Sequence, residues 1–236
     1  MARPPFRSVA PDHRAVQGHQ NQLHQASHSC FFFWLEYYHL TVAIGSSRPP
    51  GTTTDNARSV ASSIVSIDAS DQHLPHISHY HGDHIGQANS LPKATLLIGK
   101  GDWDVLTSPK PPTGVNPQLV SHWISNGGAV EPVLLDKDVF GDGTVIMMYT
   151  PGHTPGHHVL LVKLSQMGSV ILSGDLAHFH ENYQNDGVPI FNTDRAQTIA
   201  SINRVKAIAA NTKATVIIQN DARDVGKLPA FPDSAK

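Results

Sequence analysis

The sequence predicts an α/β fold in which β-sheets are covered by helices, and three observations predict it. Short apolar runs of strand type, ATLLIG at 94–99, SVIL at 169–172 and ATVII at 214–218, run into small or polar residues. The segment TDRAQTIASINRVKAIAANTK at 193–213 repeats apolar residues at helical spacing through Ile199, Ile202, Val205 and Ile208. Strand-like and helix-like segments are mixed along the chain, as they must be when helices cover sheets.

The elements follow in order from about Asp55. ARSVASSIVSI at 57–67 is expected as a short helix, and HLPHISH at 73–79 as a strand. ATLLIG is a buried strand, after which GDWDVL at 101–106 opens a helix with Asp102 near its start. NPQLVSHWISNGG at 116–128 reads as a helix stopped by glycine. AVEPVLL (129–135), TVIMMYT (144–150) and HHVLLVKL (157–164) are strand candidates, and SVILSGD is an apolar strand ending in Gly-Asp. Asp194 is placed to cap the long helix, and ATVIIQND supplies a last buried strand. Trp103 and Trp123 fall on helices and are expected to be packing residues.

Residues 1–54 differ from residues 55–236. They hold His, Gln, Arg and Pro without a clear period, then the cluster FFFWLEYYHLTVAIG at 31–45, then a linker-like SSRPPGTTT. The cluster suits one or two core strands, and the stretch before residue 30 is expected to be partly disordered. The two regions are therefore read as an atypical N-terminal segment, 1–54, and a main domain, 55–236.

A formal net charge of -2 gives no electrostatic reason to expect nucleic acid or an anionic membrane as partner. The single cysteine, Cys30, excludes an internal disulfide and fits a reducing compartment. No apolar run reaches membrane-spanning length, so the expected location is the cytoplasm. The unusual figure is 16 histidines, which suggests a metal site without locating it.

The segment Ser78-His79-Tyr80-His81-Gly82-Asp83-His84 locates it. An extended backbone puts His79 and His81 on one face, Gly82 permits a tight turn, and Asp83 and His84 point back from the next element. Three imidazoles and a carboxylate within six residues suit zinc. With 16 His and 16 Asp in 236 residues, His-x-His-x-Asp-His should arise by chance on the order of 0.005 times. A histidine-rich surface loop is the bland alternative, since His73 and His76 lie nearby. In TPGHTPGHH at 150–158, two Pro-Gly pairs mark turns that can present His153 from a strand end. His157 and His158 enter the following strand, where one is expected to satisfy a hydrogen bond. In Ser173-Gly174-Asp175, a carboxylate at the end of a buried strand is costly unless something positive meets it.

These three segments resemble the metallo-β-lactamase superfamily, and their spacing is most similar to its N-acyl homoserine lactonase branch. The resemblance implies an αβ/βα metallo-β-lactamase-like sandwich with metals at one edge of two facing sheets. It implies two Zn2+ ions, with His79, His81 and His153 on one, Asp83 and His84 on the other, and Asp175 between them. Asp83 and His178 are the catalytic candidates: Asp83 to orient a metal-activated hydroxide and pass its proton to the leaving alkoxide, His178 to hydrogen-bond the substrate carbonyl.

Three departures stand out. Asn220 occupies the place where such enzymes carry a further histidine for the second zinc, so that site is expected to be weakened, with Asp221 a less favoured replacement. His178 stands where related lactonases carry a tyrosine, and no Asp-Thr-Gly follows the N-terminal strands. The activity expected is lactone or ester hydrolysis of a small-molecule substrate, of the quorum-quenching kind, by a monomer or homodimer. A thioester hydrolase of the glyoxalase II type, a β-lactam hydrolase and a degenerate zinc-binding protein are the alternatives. Lys93, Lys100 and Lys110 would favour the thioester only if they converged, and are read as solvated surface lysines.

Overall fold

A computed structural model describes the backbone of residues 31–35, 40–44 and 64–69, then residues 72–86, 88–224, 226–229 and 235, with side chains from residue 76 onward. Two sheets form the frame. The first has six strands in sequence order: β1 (Phe31–Leu35), β2 (Leu40–Ile44), β3 (Ile64–Ala69), β4 (Gln72–Ile77), β5 (Leu96–Gly99) and β6 (Val130–Val133). Its first four strands pair antiparallel, and β4, β5 and β6 pair parallel. The second sheet runs β11 (Thr215–Ile217), β10 (Gly168–Leu172), β9 (His158–Leu164), β8 (Val145–Tyr149), β7 (Lys137–Asp138). Only its β10–β11 pair is parallel, and a parallel pair needs a long crossover. Helices α4 (His180–Asn185) and α5 (Arg195–Thr212) lie in that crossover; α1 (Gly82–Ile85), α2 (Lys100–Leu106) and α3 (Ser121–Ser125) belong to the first sheet.

The apolar side chains sort these elements into four layers. Along β9, Leu160, Val162 and Leu164 join Leu97 and Val133 of the first sheet in the cluster between the sheets. Their neighbours Val159 and Leu161 point the other way, onto Ile202 and Val205 of α5. Leu96 and Ile98 of β5 flank Leu97 and face Ile85, Leu106 and Trp123 on the outer helical layer. This period of two is what an extended chain buried on both faces requires. Removing each such Leu, Ile or Val side chain from water contributes about 1.5–3 kcal/mol. The result is the αβ/βα sandwich expected from the resemblance.

Several local expectations need correction. The segment read as a helix at 57–67 is strand from Ile64 onward, while residues 57–63 lie outside the described residues. Ile64, Val65 and Ile67 are β-branched, and their backbone pairs with β4 from Ile64↔Ile77 to Ala69↔Gln72, which outweighs the helix-like spacing of Val60, Ile64 and Ile67. The single helix read at 116–128 is a 3-10 turn, Pro117–Val120, followed by α3, with Gly127 beyond it at φ 78°. The two-residue β7 and the helix α4, which buries none of its residues, carry no apolar period and were not expected. The aromatic cluster does form two strands, β1 and β2, joined to β3. Its side chains, residues 1–30 including Cys30, and the linker at 46–54 lie outside the described residues. Among the described residues no helix is long and apolar enough to cross a membrane.

Candidate metal centre

Four loops leave the carboxyl ends of β4, β8, β10 and β11 and meet at one edge of the sandwich. The loop after β4 carries His79 and His81, the loop after β8 carries His153, and the turn after β10 carries Asp175. His79 Nε2 lies 2.8 Å from His81 Nδ1 and 3.2 Å from His153 Nε2, and the last two atoms are 3.0 Å apart. Asp175 Oδ2 lies 3.8 Å from His79 Nε2 and 3.4 Å from His153 Nε2. Donor atoms of these four residues all fall within 4.8 Å of one another, the one such set of three or more His, Cys, Asp or Glu among the described residues.

The set fits a cation. Nitrogens bound to zinc at about 2.0–2.1 Å in a tetrahedron sit about 3.3 Å apart, close to the spacing here. Three ring nitrogens this close cannot all carry protons that point at one another. Burial favours the unprotonated rings: it pushes His79 well below its ordinary pKa, lowers His81, and brings His153 down to about 4. Burial alone would raise Asp175, but His84 and His178 outweigh it and hold the carboxyl well below its usual range. Neutral imidazoles around an ionised carboxylate are what zinc requires of its ligands.

Neighbouring side chains decide which ring nitrogens are free. Ser78 Oγ lies 3.1 Å from both His79 Nδ1 and His84 Nδ1; accepting a hydrogen bond from the His79 Nδ1–H leaves that ring's Nε2 lone pair available. Asn192 Oδ1 accepts from His153 Nδ1 at 3.0 Å, and the Asn192 amide is held in turn by Thr198 Oγ1 at 3.1 Å. His157 is buried and accepts the backbone N–H of Asp175 on its Nε2 at 3.1 Å, while its Nδ1 faces Thr150 Oγ1 at 2.9 Å. Asp102, fully buried at the start of α2, ties the two histidine loops together. It accepts from the backbone N–H of Tyr80 at 3.1 Å, from Thr154 Oγ1 at 2.8 Å and from the N–H of Gly156 at 2.6 Å. Burial raises its pKa to about 7 against these bonds. Gly156 is required there, because a Cβ would stand 2.3 Å from the backbone nitrogen of Asp102. The sequence alone does not point to Asn192; it offers Ser78 only as the first residue of the histidine segment, His157 only as a histidine expected to satisfy a hydrogen bond, and Asp102 only as a helix-start residue. Their partners lie up to 54 residues away, and no local pattern encodes that.

Of the remaining candidates, His84 and Asn220 meet the outward oxygen of Asp175 and His178 meets the oxygen on the cage side. His84 Nε2 is 3.1 Å from Asp175 Oδ1, and Asp83, with a side chain 48% exposed, places Oδ2 3.6 Å from His84 Nε2. His178 Nε2 lies 3.3 Å from Asp175 Oδ2, on the side of the cage, and its buried Nδ1 has no partner. Asn220 donates from Nδ2 to Asp175 Oδ1 at 2.8 Å. Asp221 faces elsewhere: its oxygens accept from the Arg223 guanidinium at 2.8 and 2.6 Å and from the backbone N–H of His180 at 3.0 Å. His158 is buried, with Nδ1 2.7 Å from the carbonyl oxygen of Gly156.

Comparison with known proteins places the chain in a family. An N-acyl homoserine lactonase, AttM, of Azorhizobium caulinodans is 27% identical over 172 residues, which are 66% of this chain and 61% of that protein. The chain thus spans about three fifths of the length of that relative. Two solved structures share the fold. An N-acyl homoserine lactone hydrolase with the product N-hexanoyl-L-homoserine at its catalytic metal centre aligns with a TM-score of 0.61 at 16% identity, covering 86% of this chain and 97% of the other. AidC, a dizinc quorum-quenching lactonase, aligns with a TM-score of 0.54 at 17% identity, covering 80% and 90%. The profile of the metallo-beta-lactamase superfamily matches residues 50–217, a span that contains β3 to β11 and all four residues of the cage. By fold, by centre and by that match, the chain belongs to the metallo-beta-lactamase superfamily.

Proposed function

We propose that this chain hydrolyses a lactone or a closely related ester, of the N-acyl homoserine lactone type, at a zinc ion held by His79, His81, His153 and Asp175. The observation that carries the reading is the convergence of three imidazole nitrogens and one carboxylate within 4.8 Å of one another, with burial lowering the pKa of all three rings. A zinc ion held by these four residues would supply Lewis acidity and a water acidified to a pKa of about 7. The protein's own side chains do the rest. Asp83 stands half-exposed beside the cage, where its carboxylate accepts the proton of the attacking water and returns it to the leaving alkoxide. Water adds to the carbonyl carbon, the ring C–O bond breaks, and a carboxylic acid and an alcohol result. His178 turns Nε2 to Asp175 Oδ2, which leaves its partnerless Nδ1 as the nitrogen to donate an N–H to the carbonyl oxygen of the substrate. The Phe191 ring stands edge-on to His153 and His178, with centroids 6.0 and 5.5 Å away, and is 62% exposed; Ile190 beside it is 94% exposed. This apolar lip next to the cage favours a substrate with an acyl portion over a purely polar one.

The test is turnover of N-acyl homoserine lactones by zinc-loaded protein, run beside a thioester and a cephalosporin. Lactone hydrolysis lost in both His81→Ala and Asp83→Ala is the expected result. Lactone turnover that survives both substitutions, or that is exceeded by either competing substrate, ends the reading.

A further inference from the structure

The two oxygens of Asp175 face different surroundings. Oδ2 looks into the cage, toward His79, His153 and His178. Oδ1 looks outward and receives the Asn220 amide at 2.8 Å, with His84 Nε2 at 3.1 Å. A carboxylate that bridges two cations must offer one oxygen to each. Here the outward oxygen is taken by an N–H donor, which has no lone pair for a metal.

The residues around Asn220 hold it in that position. Gln219 Oε1 accepts the backbone N–H of Gly174 at 2.5 Å, which staples the chain after β11 to the turn that carries Asp175. The backbone N–H of Asp221 donates to the Ile218 carbonyl at 2.9 Å. Neither neighbour can serve as a replacement ligand. The Asp221 carboxylate is saturated by Arg223 and the His180 N–H, and the Gln219 side-chain oxygen is committed to Gly174. What remains on the outward side is His84 and the half-exposed Asp83, and these do not complete a second set of three mutually close donors with Asp175.

We infer that this chain is a one-cation member of its superfamily, unlike the dizinc relative AidC. Asn220 fills the place of a second ion by hydrogen-bonding the outward oxygen of Asp175, so that Asp175 is a terminal ligand of one metal and not a bridge between two. The inference concerns how many ions the chain holds and is independent of the substrate proposed above.

Metal content decides it without any assay of turnover. Metal-free protein is titrated with Zn2+ by calorimetry, and bound zinc per chain is counted after dialysis; Co2+ titration followed by its visible absorption gives a second count. One equivalent is expected, with any second weaker by more than the roughly 100-fold that loss of an outer-shell partner costs. Asn220→His and the near-isosteric Asn220→Asp, each replacing the donor with a ligand at the same oxygen, are both expected to bring a second equivalent. Asn220→Asp changes shape so little that it guards against a folding failure of the histidine variant. Two equivalents of comparable affinity in the unaltered chain would overturn the inference. So would a count that stays at one in both variants while circular dichroism shows them folded.

Discussion

The cage side and the outward side of Asp175 are built from the same residue types, yet they differ in support. On the cage side two of the three histidines have the second ring nitrogen engaged: His79 by Ser78 and His153 by Asn192. The loops themselves are tied by Asp102. On the outward side Asp83 is half-exposed, Asn220 is a donor and Asp221 is spent on Arg223. The clearest difference is thus the tie between the two histidine loops, the kind of second layer that holds metal ligands in position.

The largest effect expected from breaking this asymmetry is on the cage itself. His153→Ala removes one of the four proposed ligands and should lower zinc affinity by more than about 100-fold, the most that losing an outer partner typically costs. Zinc counted per chain after dialysis checks it, and a fully loaded variant would refute the assignment of His153.

Asp102 comes next. Asp102→Ala orphans three buried donors, and at about 1–3 kcal/mol each the loss should be about 3 kcal/mol or more. Urea unfolding measures it. Asp102→Asn keeps an acceptor and should cost less; equal losses would mean that volume, and not hydrogen bonding, is what Asp102 contributes.

Asn192→Ala sharpens the comparison from the second layer. Freed of its carboxamide partner, His153 no longer has one tautomer imposed, and zinc affinity should fall by about 10–100-fold with little change in unfolding midpoint. An unchanged affinity would show that the tautomer is set by the ion alone.

The smallest effect expected is a net pH dependence, because groups of opposite sign partly cancel. His76 and His153 fall from 6.5 to about 3 and about 4 in the folded chain, and His79 and His157 also fall. Between pH 6.5 and 4 the unfolded chain therefore binds protons at these rings that the native chain does not. Their contribution to stability is full above pH 6.5 and declines as pH falls. Asp102, raised to about 7, and His84, also raised, act in the opposite sense. With His81 and His158 also lowered, six depressed imidazoles against two raised groups predict that metal-free protein loses stability on acidification across this window. A chemical-denaturation series at fixed ionic strength that rises toward pH 4 would contradict it.

The parts of the fold that could be read without coordinates are those whose period is strong. β5, β9, β10 and α5 each repeat apolar residues at the spacing their own geometry needs, and they appear where expected. β3 was misread because its residues also satisfy a helical spacing, and only pairing with β2 and β4 breaks the tie. α4 was missed because it packs no apolar stripe. The same division runs through the site. His79, His81, Asp83 and His84 sit within six residues of one another, so their chemistry is written locally. His153 and Asp175 needed a resemblance, since 72 residues separate His81 from His153.

What the sequence determined by itself was the inventory: the imidazoles and carboxylates of a metal centre, the strands that end beside them, and an asparagine in an unexpected place. Tertiary structure alone decided which of them converge, that Asp102 joins the two histidine loops, and that Asn220 turns its amide to the outward oxygen of Asp175. The reason is physical. Composition and period are properties of neighbouring residues, whereas a lone pair's direction and a hydrogen bond across 45 residues exist only once the two sheets have packed.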